Sequence, residues 1–167
     1  MDAHTQWLVD RLEIDDLLAR YATAIDGRRW DLLDGVFTPD AHLDYRSAGG
    51  ICGPYPEVRA WLEAVLPIFD LTQHLMLNRV VELDAGGDRA RSRTTFSNPN
   101  QLTVDDAPWL FTVGGYYHDE LVRTARGWRI SSRIEETSWW DHPMPGLAPR
   151  PEPVPVTLDW LTGLPPA

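Results

Sequence analysis

Between residues 5 and 25 the apolar positions Leu8, Leu12, Leu17, Leu18, Tyr21, Ala22 and Ile25 recur at helical spacing, with Asp10, Arg11, Asp15 and Arg20 between them. This pattern predicts an amphipathic helix. Asp26-Gly27 ends it, because glycine can take the left-handed backbone of a helix C-cap. A shorter helix carrying Trp30, Leu33, Val36 and Phe37 is expected to run to Thr38-Pro39. Residues 41–46 read as a short strand and 49–56 as a loop. Residues 57–69 read as a third helix with Val58, Trp61, Leu62, Val65 and Phe69 on its apolar side. The character then changes: 72–83, 89–104, 109–124 and 128–141 are rich in β-branched and aromatic residues and predict four long strands. Ala85-Gly86-Gly87-Asp88 and Arg126-Gly127 are hairpin-like turns, while Asp105-Asp106-Ala107-Pro108 suggests a wider connection. The economical arrangement is an antiparallel meander. Gly114-Gly115 inside a strong strand marks a bulge or bend that lets the sheet curl. The expected fold is α+β, a curved antiparallel sheet wrapped around three N-terminal helices.

More than half of the 14 prolines lie in the last 25 residues. The chain therefore divides into a domain over 1–142 and a Pro-rich C-terminal arm over 143–167. Residues 143–155 read as extended and 156–164 as one helical turn. The arm is either a tail or a strap over a neighbouring subunit, and Trp160 and Leu161 favour the strap. At 167 residues, 43% hydrophobic and 24% charged, the composition suits one globular domain. The net charge is −10, and no residue is Lys. That excludes Schiff-base chemistry, pyridoxal phosphate attachment and a P-loop lysine. The acidity disfavours nucleic acid and anionic membrane surfaces as partners. Cys52 is the single cysteine, which excludes an intrachain disulfide or thiolate zinc cluster, fits a cytoplasmic protein and predicts a structural thiol. Neither a signal-peptide pattern nor an apolar run of ~18 residues is visible.

Asp26 falls on the helix face of Leu18 and Ala22 and lies near the helix C-terminus, where negative charge is disfavoured. Two local rules are broken together, as happens at functional positions; the alternative is a C-cap neighbour paired with Arg28 or Arg29. His74, in Thr72-Gln73-His74-Leu75, opens the first long strand. A strand histidine is often structural, yet its pKa near 6.5 suits a general base whose tautomer a buried Asp could fix. His42, Asp44, His118, Asp119 and His142 lack a tight metal-ligand spacing, so no metal and no other cofactor is expected. A Gly-x-Ser-x-Gly elbow is absent, and nothing places a base beside Cys52. Trp139 and Trp140 must present their rings to opposite faces, so one of them can line a cavity.

Four segments together resemble one family. They are the opening helix ending in Tyr21-Ala22-Thr23-Ala24-Ile25-Asp26, Trp30-Asp31-Leu32-Leu33 continuing to Phe37-Thr38-Pro39-Asp40-Ala41, Thr72-Gln73-His74, and Gly114-Gly115-Tyr116-Tyr117-His118-Asp119 continuing to Gly127-Trp128-Arg129-Ile130. They resemble the SnoaL-like branch of the NTF2-like superfamily, the α+β cones that include scytalone dehydratase and bile-acid dehydratase. The resemblance implies that Asp26 and His74 form a catalytic pair, that Tyr21 polarises the substrate and that Tyr45 contacts it; Asn98, Asn100 and Trp140 are the further candidates for substrate contact. Family dehydratases carry a second His or an acid on the strand where this chain has Asn98 and Asn100, and neutral amides orient groups but do not shuttle protons.

The implied activity is a cofactor-independent dehydratase, with His74 removing a proton from an apolar cyclic hydroxy-ketone of steroid or polyketide type. An isomerase or polyketide cyclase using the same pair, a non-catalytic binding or assembly module, and an epoxide hydrolase are the alternatives. A homo-oligomer, trimer or dimer, is expected, with Trp109, Trp139 and the arm as contact candidates.

Overall fold

The structure is a computed structural model and describes residues 2–142, 156 and 158–162. Helix α1, Ala3–Asp26, begins at Asp2, whose carboxylate accepts the Thr5 backbone N–H at 2.9 Å. Its second half buries Ile14, Leu17, Leu18, Tyr21, Ala24 and Ile25, an i, i+3, i+4 set facing the sheet. Each such aliphatic side chain contributes ~1.5–3 kcal/mol of transfer free energy. Leu8 and Leu12, expected on this face, are exposed. The buried residue of that half is Asp10, held by Arg123 at 2.6 Å and Gln6 at 2.9 Å.

Helix α2 is a single turn, Trp30–Leu33, and Val36 and Phe37 do not extend it. Phe37 instead starts strand β1, Phe37–Asp44, four residues earlier than the pattern suggested. Pro39 lies inside this strand, where the pairing with the last strand is irregular between Phe37 and His42, as suits a residue without an N–H. The predicted loop contains a short edge strand, β2, Cys52–Pro54. Helix α3, Tyr55–Val65, has Pro56 in its first turn. It gives way to a tighter turn, Leu66–Ile68, because Pro67 cannot donate to a continuing helix.

The remaining strands are β3 Leu71–Thr72, β4 Leu75–Leu83, β5 Arg89–Val104, β6 Ala107–Thr124 and β7 Gly127–Trp140. β5 and β6 are joined by a tight turn, not a wide one, with Asp105 and Asp106 at φ 49° and 62°, the left-handed pair of a two-residue hairpin loop. The sheet runs β2-β1-β7-β6-β5-β3, with β4 also on β5. β4 to β7 form the expected antiparallel meander, but β1 joins β7 in parallel. The result is a curved, unclosed mixed sheet with the helices against its inner face, an α+β cone.

Two bulges in β7 set which side chains face inward. Leu121 opposes Ile130 while Glu120 opposes Ser132, so Ser131 is extra; Gly115 opposes Thr137 while Gly114 opposes Trp139, so Ser138 is extra. Each bulge reverses the alternation. Trp128 and Ile130 point into the core, then Arg133 and Glu135 do, and finally Trp140 packs inward while Trp139 is exposed. At the glycine bend a Cβ on residue 114 would overlap the Trp139 ring, and one on residue 115 the Glu136 carbonyl.

Residues 159–162 form one 3-10 turn where a helical turn was expected. The extended arm expected over 143–155 lies outside the described residues. Among those described, no helix is long and apolar enough to cross a membrane.

Candidate active site

Between the inner face of the sheet and α3 lies a cavity of about 320 Å³, within the ~300–1,000 Å³ typical of small-molecule sites. Trp61, Leu62, Val65 and Phe69 form its helical side. Phe111 and Trp140, stacked at 5.9 Å, form part of the sheet side. Tyr21, Tyr45, His74, Asn98, Asn100 and Glu135 are among its polar lining residues. All six cavity-lining residues singled out from the sequence therefore face one space, and Asp26, the seventh, stands behind His74.

Asp26 is the last residue of α1, and His74 lies in the two-residue break between β3 and β4. Asp26 Oδ1 is 2.6 Å from His74 Nδ1, and Oδ2 accepts the His74 backbone N–H at 2.8 Å. One carboxylate thus fixes both the backbone and the ring. It selects the tautomer with the proton on Nδ1 and leaves Nε2 as the basic atom. The alternative partners of Asp26 are engaged elsewhere: Arg28 donates to the carbonyls of Leu66 and Phe69, and Arg29 pairs with Asp31. The His74 side chain is 9% exposed, so the pair is sheltered from bulk water.

The Tyr21 ring meets that of His74 edge-on at 5.9 Å, and its hydroxyl is 3.2 Å from that of Tyr45. Tyr117, which the sequence reading did not single out, packs against Tyr21 at 5.6 Å. Burial pushes all three hydroxyls above the ordinary tyrosine range, with the Arg133 charge opposing it. They are neutral hydrogen-bond donors. Arg133 is fully buried, its guanidinium 4.1 Å from the Tyr21 ring and 4.2 Å from that of Tyr117, and it makes two bonds of 2.7 and 2.8 Å to Asp119.

Asn98 and Asn100 line the cavity, but their amides are largely engaged within the protein. Asn98 Nδ2 donates to Thr72 Oγ1 and to the Gln73 carbonyl, while its Oδ1 accepts from Asn100 Nδ2 at 3.0 Å. Asn98 therefore holds the segment that presents His74. Glu135, also absent from the sequence reading, sits on the same wall; burial raises its carboxyl to about 8. The only signal for it was alternation along β7, and counting inward from Trp128 and Ile130 without the bulge at Ser131 places Glu135 outside.

The other polar groups considered are dispersed. His42 Nε2 is 3.3 Å from Cys52 Sγ, His118 pairs with Glu136, and His142 with Asp141. Cys52 is exposed on an edge strand, and His42 stands beside it although the sequence placed no base there.

A SnoaL-like domain matches residues 6–134. The chain belongs to that family. An uncharacterized protein of Mycobacterium tuberculosis is 49% identical over 126 residues, covering 75% of this chain and 84% of the relative. A crystal structure from Kribbella flavida is 33% identical, covers 84% of this chain and 95% of that one, and superposes with a TM-score of 0.73. Two more distant structures share the fold. One, described as a scytalone dehydratase candidate from Novosphingobium aromaticivorans, has a TM-score of 0.76 at 17% identity, covering 92% and 99% of the two chains. The other, hexachlorocyclohexane dehydrochlorinase from Novosphingobium barchaimii, has a TM-score of 0.71 at 19% identity, covering 90% and 100%. Both neighbours share the α+β cone of this SnoaL-like chain.

Proposed function

We propose that this SnoaL-like protein is a cofactor-independent lyase, a dehydratase acting on an apolar cyclic hydroxy-ketone of steroid or polyketide type. The observation that carries this reading is the Asp26–His74 pair, tied through Nδ1 at 2.6 Å and opening onto an aromatic cavity. His74 Nε2 removes a proton from the carbon next to the substrate carbonyl. Asp26 holds the ring and stabilises the imidazolium that forms. Tyr21 and Tyr45 donate to the carbonyl oxygen as negative charge develops there. The apolar walls exclude water and select a ring system over an open-chain polar substrate.

The test is a panel of fused-ring β-hydroxy-ketones followed by two readouts, the appearance of the conjugated enone and deuterium uptake from solvent next to the carbonyl. His74→Ala is expected to lose about 10²–10⁴-fold in both, the range of a positioned general base, and Asp26→Asn to lose a substantial part of it. Wild-type rates in His74→Ala would remove the basis of the reading. We also propose that the protein self-associates, supported by the exposed apolar surface of Trp109, Leu110 and Trp139; light scattering after gel filtration is expected to give a mass above 19.0 kDa.

A further inference from the structure

We propose that Glu135 is the acid of this site: it gives its proton to the oxygen leaving the substrate while His74 takes the carbon-bound proton, so that elimination uses two different groups. This rests on the reading of His74 as the base.

The placement of Glu135 carries the argument. The two bulges of β7 turn the segment between them over, so that Glu135 lines the cavity together with Tyr21, Tyr45, His74 and Trp140. A charged carboxylate would be poorly supported there. Among the described residues the only side-chain hydrogen bond to it comes from Thr137 Oγ1 at 3.5 Å, at the limit of such a bond. It has no ion pair among the described residues. The cation acting on it, Arg133 on the same strand, gives Nε and Nη2 to Asp119, and its buried Nη1 bonds neither Glu135 nor any other described residue. The titratable groups facing it from the other elements are Tyr21 on α1, Tyr45 after β1 and Tyr117 on β6, all neutral phenols.

Burial raises the carboxyl to about 8 against the opposing pull of Arg133 and the Thr137 bond. It therefore carries a proton at neutral pH, and that proton is transferable near the working pH, as a general acid requires. The other candidates are weaker. The three tyrosines are pushed away from neutrality, and the Asn98 and Asn100 amides have no proton to give. Glu135 is the one carboxyl among the described residues lining the cavity.

The step balances as follows. In a β-hydroxy-ketone the C–H bond next to the carbonyl breaks toward His74 Nε2 to give an enolate, whose electron pair then becomes the new carbon–carbon double bond. The bond from the β-carbon to oxygen breaks, and the hydroxyl leaves with the Glu135 proton as water. His74 has gained one proton and Glu135 has lost one; exchange with solvent after product release restores both. An isomerase working through His74 alone would need no second acid, so a protonated Glu135 favours elimination.

The test uses the full chain with 3-hydroxy-1-decalone, a fused-ring β-hydroxy-ketone, and measures deuterium uptake at C2 and enone formation separately. Glu135→Gln is expected to retain deuterium uptake within about threefold and to lose enone formation by about 10²-fold or more, with Glu135→Asp recovering part of it. Wild-type enone formation is expected to fall above about pH 8 while uptake continues, and that alkaline limb disappears in Glu135→Gln. The infrared spectrum of the wild type at pH 7 is expected to show a protonated-carboxyl band that Glu135→Gln lacks. Uptake dependent on His74 with unchanged elimination in Glu135→Gln, or absence of the carboxyl band, overturns the acid role alone. Absence of any His74-dependent uptake overturns the base reading and the acid role with it.

Discussion

Replacing Glu135 by Gln should make the protein more stable at alkaline pH, and the size of the effect follows from its burial. An ordinary glutamate titrates at 4.5, whereas Glu135 is raised to about 8. A carboxyl whose folded value lies above its unfolded value binds protons more tightly when folded. Its contribution is fully present below the unfolded value, declines as pH rises, and levels off above the folded one. The loss begins near pH 4.5 and runs at about 1.4 kcal/mol per pH unit until about pH 8. Between pH 6 and pH 8.5 wild type should therefore lose about 2–3 kcal/mol relative to Glu135→Gln, which titrates nowhere in this window. Urea denaturation of both proteins at the two pH values measures this, and every other ionisable group cancels in the comparison. A widening gap identifies Glu135 as neutral at pH 7. Parallel pH profiles would show that it is ionised in the fold and would refute the reasoning.

The buried pair behind the tyrosines offers a second test: Arg133→Met leaves Asp119 charged and without its partner, and should cost about 3–5 kcal/mol in chemical denaturation. A loss below about 1 kcal/mol would mean that Asp119 finds compensation elsewhere. Gly115→Ala sets a Cβ against the Glu136 carbonyl, a backbone atom that cannot swing away. It should destabilise by more than about 1 kcal/mol, the lower end for overpacking in a close-packed interior; an unchanged denaturation midpoint would count against the tight bend. Trp140→Ala removes the ring stacked on Phe111 and opens one wall of the cavity. It should raise KM for cyclic ketones more than it lowers kcat, since an indole ring has no proton to transfer at neutral pH, and the reverse split would place that ring in the chemistry.

Much of this architecture was legible in the sequence because it depends on patterns several residues long. The helical spacing of α1, the turn signals between the long strands and the glycine pair in β6 all led to elements that are present. Asp26 was visible because a carboxylate on an inward helix face near a helix C-terminus needs a reason, and the family resemblance supplied His74 as that reason. What could not be read depends on single residues. Phe37 leaves the helix for a strand because β7 offers it a parallel partner, a contact across nearly 100 residues that has no local signature. Glu135 and Arg133 were hidden because Ser131, an unremarkable residue, is the extra one in a bulge, and one uncounted residue reverses every later side chain. Asn98 and Asn100 line the cavity as expected, but only their paired geometry shows that the amides also bind each other and the His74 segment.

The cavity has two walls that differ in how freely they can be rewritten. On one side, Asp26 and Tyr21 from α1, Tyr45 after β1, the proposed base between β3 and β4, and Glu135 on β7 are set by the Asp26–His74 bonds, by the bulges and by the Arg133–Asp119 pair. On the helical side, Trp61, Leu62, Val65, Ile68 and Phe69 contribute apolar volume from α3 and the turn that follows it. None of those five side chains belongs to the proposed proton-transferring set, so changes in their size act first on the shape of the cavity. Under the proposed mechanism, variants of this chain would exchange one ring system for another by resculpting the α3 wall while the proton-transferring groups stay where they are.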